Sequence, residues 1–147
     1  MINCRNYDEF LICNSEEAKS KIESSLSDDP ISFLSVDSFP DNTGLYFVLL
    51  GDTVLYIGKA DKQSIKDRCK QYLNKSTGGT LRKKIECVQL CTPDDAIDYI
   101  SNYFTAKFIE IEDTKKIPVL EEVSIWAFQP KLNAVKPSLF SYEKLVI

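Results

Sequence analysis

Between residues 7 and 26 apolar and polar positions alternate at roughly helical spacing, with Leu11, Ala18, Ile22 and Leu26 as the inward positions. This predicts one or two helices packed on the core. Ser27-Asp28-Asp29-Pro30 ends the segment, and Phe39-Pro40-Asp41-Asn42-Thr43 makes a second turn-rich break. The period then changes. Gly44-Leu45-Tyr46-Phe47-Val48-Leu49-Leu50 and Thr53-Val54-Leu55-Tyr56-Ile57-Gly58 are β-rich runs separated by Gly51-Asp52, a hairpin signal. Side chains two apart share a strand face, so Tyr46, Val48 and Leu50 are expected to point one way.

Ser64 to Leu73 predicts a helix that starts with Ser64 and Asp67 as an approximate capping box and has Ile65, Cys69, Tyr72 and Leu73 as its apolar side. Arg68 and Tyr72, four apart, lie on one face. The loop Ser76-Thr77-Gly78-Gly79-Thr80 leads into a short basic helix around Leu81 to Cys87. Thr92 and Pro93 start another, from Asp94 to Tyr103. Thr105 to Glu112 alternates apolar and charged residues as a half-exposed strand does. Pro118 suits the first turn of a helix running to about Phe128, and Pro130 discourages helix just before itself.

The order helix, hairpin, helices, strand, helix specifies an α+β fold: a small, mainly antiparallel three-stranded sheet flanked by helices, with an extra N-terminal helical segment. Residues 1–42 form that extension, packed on the core. Residues 43–134 make the principal unit, and 135–147 a tail. At 147 residues and 44% apolar content the chain builds one ordinary core.

The start, MINCRNYDEF, lacks a basic stretch followed by an apolar run, and no stretch approaches the ~18 apolar residues of a membrane span. The five cysteines, Cys4, Cys13, Cys69, Cys87 and Cys91, form no CxxC pair, which disfavours a disulfide framework or a zinc site. Reduced thiols in a cytoplasm are the expectation. Cys87 and Cys91 read as two small buried apolar residues.

The net charge of −4 argues against binding nucleic acid through an overall field. Its distribution changes that picture. Residues 52–86 carry nine basic and four acidic side chains, between flanks that are both net acidic. A solvated helix face produces such a bias too, so charge alone assigns no partner.

Gly44-Leu45-Tyr46 and Tyr56-Ile57-Gly58, followed by Lys59, Arg68 and Tyr72, resemble the GIY-YIG nuclease family, in particular the domain of bacterial excision-repair nucleases; Leu45 stands where Ile is usual. Downstream, Leu120-Glu121-Glu122-Val123 through Gln129-Pro130-Lys131-Leu132-Asn133 looks like the family's helix bearing a metal-binding Glu and its Pro-x-x-Asn ending. The likeness spans about residues 43–134. It implies a DNA endonuclease dependent on Mg²⁺ or Mn²⁺, with Glu121 rather than Glu122 holding the metal. Tyr46, Tyr56, Lys59, Arg68, Tyr72 and Glu121 would be catalytic. Asn133, Lys62, Arg82 and Lys83 are the expected substrate contacts, with DNA entering over residues 59–84.

These residue types have independent uses at a phosphodiester. Attack builds negative charge on the phosphorus oxygens, which cations stabilise. Arg68 offers a planar fork and Lys59 a point charge. Mg²⁺ keeps several waters and takes one or two carboxylates, so a lone Glu is chemically sufficient. The chain has no histidine, which leaves Tyr, Lys or a carboxylate as base for the attacking water. The resemblance implies Tyr46 in that role, with Tyr56 and Tyr72 orienting water or phosphate.

Two other readings compete. Pro93-Asp94 with Asp113-Thr114-Lys115 spells a PD-(D/E)xK pattern, but Asp94 sits at a helix start whereas that fold expects its first acid on a strand. The same fold can also serve as an inactive nucleic-acid- or protein-binding module. A homodimer or protein partner is the expected source of any specificity beyond this domain.

Overall fold

The computed structural model describes residues 14–27 and 29–136. Helix α1 covers Ser15–Ser25; Asn14 caps it by accepting the Glu17 N–H at 2.9 Å, and Ala18 and Ile22 are buried on its inner face. The part of the expected helix over residues 7–13, Leu11 included, lies outside the described residues, as do Cys4, Cys13 and residues 137–147 of the tail.

A two-residue strand β1 (Ile31–Ser32) and a 3₁₀ segment (Phe33–Ser38) precede the hairpin of β2 (Gly44–Leu50) and β3 (Thr53–Ala60). Then come α2 (Ile65–Tyr72), α3 (Thr80–Gln89), α4 (Pro93–Tyr103), β4 (Thr105–Glu110) and α5 (Ile117–Phe128), with 3₁₀ turns at Thr114–Lys116 and Lys131–Ala134 flanking α5. Ser64 caps α2 through the Asp67 N–H at 3.1 Å, and Pro93 and Pro118 sit in the first turns of their helices.

The fold is α+β, and its antiparallel sheet has four strands in the order β1-β4-β2-β3 rather than the expected three. The added strand is β1. Two residues are too short to show alternation, so only their pairing with Thr105 and Ala106 reveals them. Residues 31–39 therefore belong to the sheet and its core, where Phe39 packs 5.2 Å from Phe33 and 4.8 Å from Phe108, centroid to centroid.

Both sheet faces are covered. Tyr46, Val48, Tyr56 and Phe108 face a core shared with α2, α3 and α4; Leu45, Phe47, Ile57 and Ile109 face a second one shared with α1 and α5. Leu45, Phe47 and Leu49 all face the second core, so β2 alternates along its length; the register shift between Val48 and Leu49 leaves Leu55 of β3 unpaired, and Leu50 is exposed at the hairpin end. Among the described residues, Cys69, Cys87 and Cys91 are free thiols, and no helix is long and apolar enough to cross a membrane.

Candidate active site

Strand β3 is at the sheet edge, so side chains from both faces can meet around its rim. Tyr46 on β2 lies opposite Gly58 on β3, and Tyr56 lies opposite Val48, which puts both rings on one face with centroids 6.3 Å apart. The Tyr46 ring crosses directly over Gly58: a Cβ there would stand 2.3 Å from both its Cζ and its hydroxyl. Tyr72 arrives from the last turn of α2, its ring 6.1 Å from that of Tyr46, and the two hydroxyls hydrogen-bond to each other. Gly79 leaves room for this ring, since a Cβ would come within 2.7 Å of Cε1.

Burial pushes all three phenols above their ordinary range and keeps them neutral at pH 7. The effect on Tyr72 is opposed by the Tyr46 hydroxyl, by the Arg68 charge and by a weaker polar interaction with Tyr56. Tyr72 is thus the hub of the cluster. The base role that resemblance gives to Tyr46 fits this placement poorly, because Tyr46 is 1% exposed and its hydroxyl is committed to Tyr72. Tyr56, at 7%, is the least enclosed of the three.

Arg68, on α2, lies 5.6 Å from the Tyr72 ring centroid, and its Nη1 donates to Gln71 Oε1 at 3.1 Å. Gln71 is held in turn by donating to Gln63 Oε1 at 3.0 Å. A neutral carbonyl therefore aims the guanidinium without cancelling its charge.

Glu121 on α5 is half-buried. Burial raises its pKa, Asp61 and Glu122 add to the rise, and Lys59 and Arg68 oppose it. Lys59 also pairs loosely with Asp61 at 3.9 Å. No three His, Cys, Asp or Glu side chains gather into a metal cage among the described residues. A hard dication that keeps its waters needs no cage, and positive charge at Glu121 would offset the repulsion from Asp61 and Glu122. The donor set fits Mg²⁺ or Mn²⁺.

Two expected substrate contacts are turned inward. Asn133 accepts the Ile57 N–H at 2.8 Å and donates to the Ile57 carbonyl at 2.9 Å, which occupies its carboxamide. Arg82 is buried, with Nη1 on the Asn74 carbonyl at 2.7 Å and Nη2 on the Lys75 carbonyl at 3.3 Å; it braces the loop before α3. Lys62 and Lys83 are exposed. Sequence reasoning missed Gln71, whose spacing from Arg68 was a signal, and Gln63 and Lys84, which carried none.

The residues of the competing pattern serve helix starts. Asp94, in the first turn of α4, pairs with Lys75 at 3.3 Å, and Asp113 caps the Thr114–Lys116 turn through the Lys115 N–H. Comparison with protein-family models, with curated proteins and with solved structures returns no match for this chain.

Proposed function

We propose that this chain is a GIY-YIG-type endonuclease that hydrolyses phosphodiester bonds in DNA with a divalent cation held by Glu121. The observation that carries this reading is convergence: Tyr46, Tyr56 and Lys59, Arg68 and Tyr72, and Glu121 come from β2, β3, α2 and α5 to one stretch of the β3 edge. Taken singly, each has a structural explanation. Packing alone does not require a guanidinium held by a neutral carboxamide close to a half-buried carboxylate.

In this mechanism Arg68 grips the non-bridging phosphate oxygens with its fork, and Lys59 adds a second positive charge as negative charge builds there. Tyr56 receives the proton of the attacking water, which requires its phenolate, while Tyr46 and Tyr72 hold the ring cluster in register. A divalent ion, when bound, supplies charge to the departing oxygen. DNA lies along the basic stretch of residues 59–84, with exposed Lys62 and Lys83 on its backbone. The net charge of −4 keeps unaided affinity low, which leaves specificity to a second copy or a protein partner.

Nicking of supercoiled plasmid with Mg²⁺ or Mn²⁺ tests the reading. Glu121→Ala, Arg68→Ala and Tyr56→Phe are expected to abolish cleavage while remaining folded, and Asp94→Ala to retain it. Loss only in Asp94→Ala would transfer the chemistry to the competing pattern. Folded wild type that cuts no substrate would leave a binding module.

A further inference from the structure

Lys84, on α3, is a buried cation that the mechanism above does not use. It is 7% exposed. Its Nζ donates to the backbone carbonyl of Asn133 at 3.0 Å and stands 5.3 Å from the ring centroid of Tyr56. No carboxylate pairs with it among the described residues, and burial pushes its pKa down. An apolar chain of similar length would fill this space without the cost of desolvating an ammonium, so its placement calls for another cause.

The next link is Asn133. Its carboxamide bonds both peptide groups of Ile57, completing the free edge of β3 as a neighbouring strand residue would. Ile57 lies between Tyr56 and Gly58, the glycine over which Tyr46 packs. A displacement of the Lys131–Ala134 turn therefore reaches two of the three tyrosines.

We propose that Lys84 is a positioning residue of the active site, which fixes Tyr56 from two sides, by its ammonium against the ring and by anchoring the Asn133–Ile57 clamp. The proposal rests on the nuclease reading for its consequence and on the clamp for its structure. Lys84 touches no reacting atom. It acts by holding the strand that carries Tyr56 and Lys59, and misplacement of such groups by about 1 Å lowers turnover on the order of a hundredfold.

The test compares wild type with Lys84→Met, which keeps the stem and loses the charge, and Lys84→Arg, which keeps the charge. Steady-state nicking is read beside hydrogen exchange at the Ile57 amide. In Lys84→Met, kcat is expected to fall by about tenfold or more with KM within about threefold, and Ile57 exchange to quicken by about tenfold; Lys84→Arg recovers most of both. Unchanged kcat and exchange, a defect confined to KM, or Lys84→Arg as impaired as Lys84→Met would each overturn the proposal. If Lys84→Met does not fold, Lys84→Gln gives the same two readings. Wild type that cuts nothing would sink the nuclease reading alone, and the Ile57 exchange rates would still decide the clamp.

Discussion

The hydroxyl pair of Tyr46 and Tyr72 allows a test in which a second mutation restores what the first removes. Both rings are enclosed, at 1% and 0% exposure, so neither hydroxyl can exchange its partner for water. Tyr72→Phe strands the Tyr46 hydroxyl and withdraws the weaker interaction of Tyr56. A buried polar group left without its partner costs ~1–3 kcal/mol. The nearby Arg68 charge still favours the Tyr46 oxygen but gives its proton no acceptor, which places the loss in the lower half, about 1–2 kcal/mol. At this chain length that is a fall in Tm of roughly 2–8 °C.

Tyr46→Phe is expected to cost less, ~1 kcal/mol or below, because Tyr72 keeps its interaction with Tyr56. In the double variant Tyr46→Phe/Tyr72→Phe the stranded hydroxyl is gone, so stability rises above that of Tyr72→Phe alone by about 1 kcal/mol. Urea unfolding followed through Trp126, the single tryptophan, measures all four proteins, and equal m-values confirm a common unfolded state. A double variant whose loss equals the sum of the singles would refute the reasoning, because the two hydroxyls would then not be each other's partners.

Gly58→Ala puts a methyl 2.3 Å from the Tyr46 Cζ, well inside the ~3.5 Å of an ordinary carbon contact, so the ring must move by about 1 Å. A loss of ~1–3 kcal/mol in urea unfolding and a collapse of nicking are expected, and wild-type activity in the variant would disconnect the Tyr46 position from function. Because burial raises the pKa of Glu121, folding favours its protonated form. Its ionisation then costs stability, a cost absent below the ordinary carboxylate range and fully present above the raised pKa. Glu121→Gln should therefore melt higher than wild type at pH 7 without metal and equally at pH 3, and added Mg²⁺ should raise the Tm of wild type only. The Tyr56 phenol is pushed above its ordinary range, so the active phenolate grows about tenfold per pH unit; log kcat/KM should climb with a slope of about 1 from pH 7 to 10, and a plateau below pH 8 would remove Tyr56 as the base.

What was legible in the sequence had a short range. The hairpin rests on period-2 alternation and a two-residue turn, and α2 on Ser64 and the spacing of Ile65, Cys69 and Tyr72; all of this is local, and the structure matches it. The residues now found together at the β3 edge were also picked out, because their types and order resemble those of a known nuclease family. Their roles were less visible. Asn133 meets Ile57 across 76 positions and Lys84 meets Asn133 across 49, and no window of sequence contains such pairs.

The positive bias of residues 52–86 misleads for the same reason. Of its nine basic side chains, Arg82 and Lys84 are buried, and Lys59, Lys70 and Lys75 are paired with Asp61, Asp37 and Asp94. That leaves Lys62, Lys66, Arg68 and Lys83, with Lys59 as a fifth because its 3.9 Å pairing with Asp61 is loose, to meet a phosphate backbone. Each neutralised phosphate contributes a slope of about −0.9 to the salt dependence of duplex binding, so this surface sets an upper bound of about −4.5 for the isolated domain. A steeper measured slope would mean that a second copy or another chain supplies the missing cations.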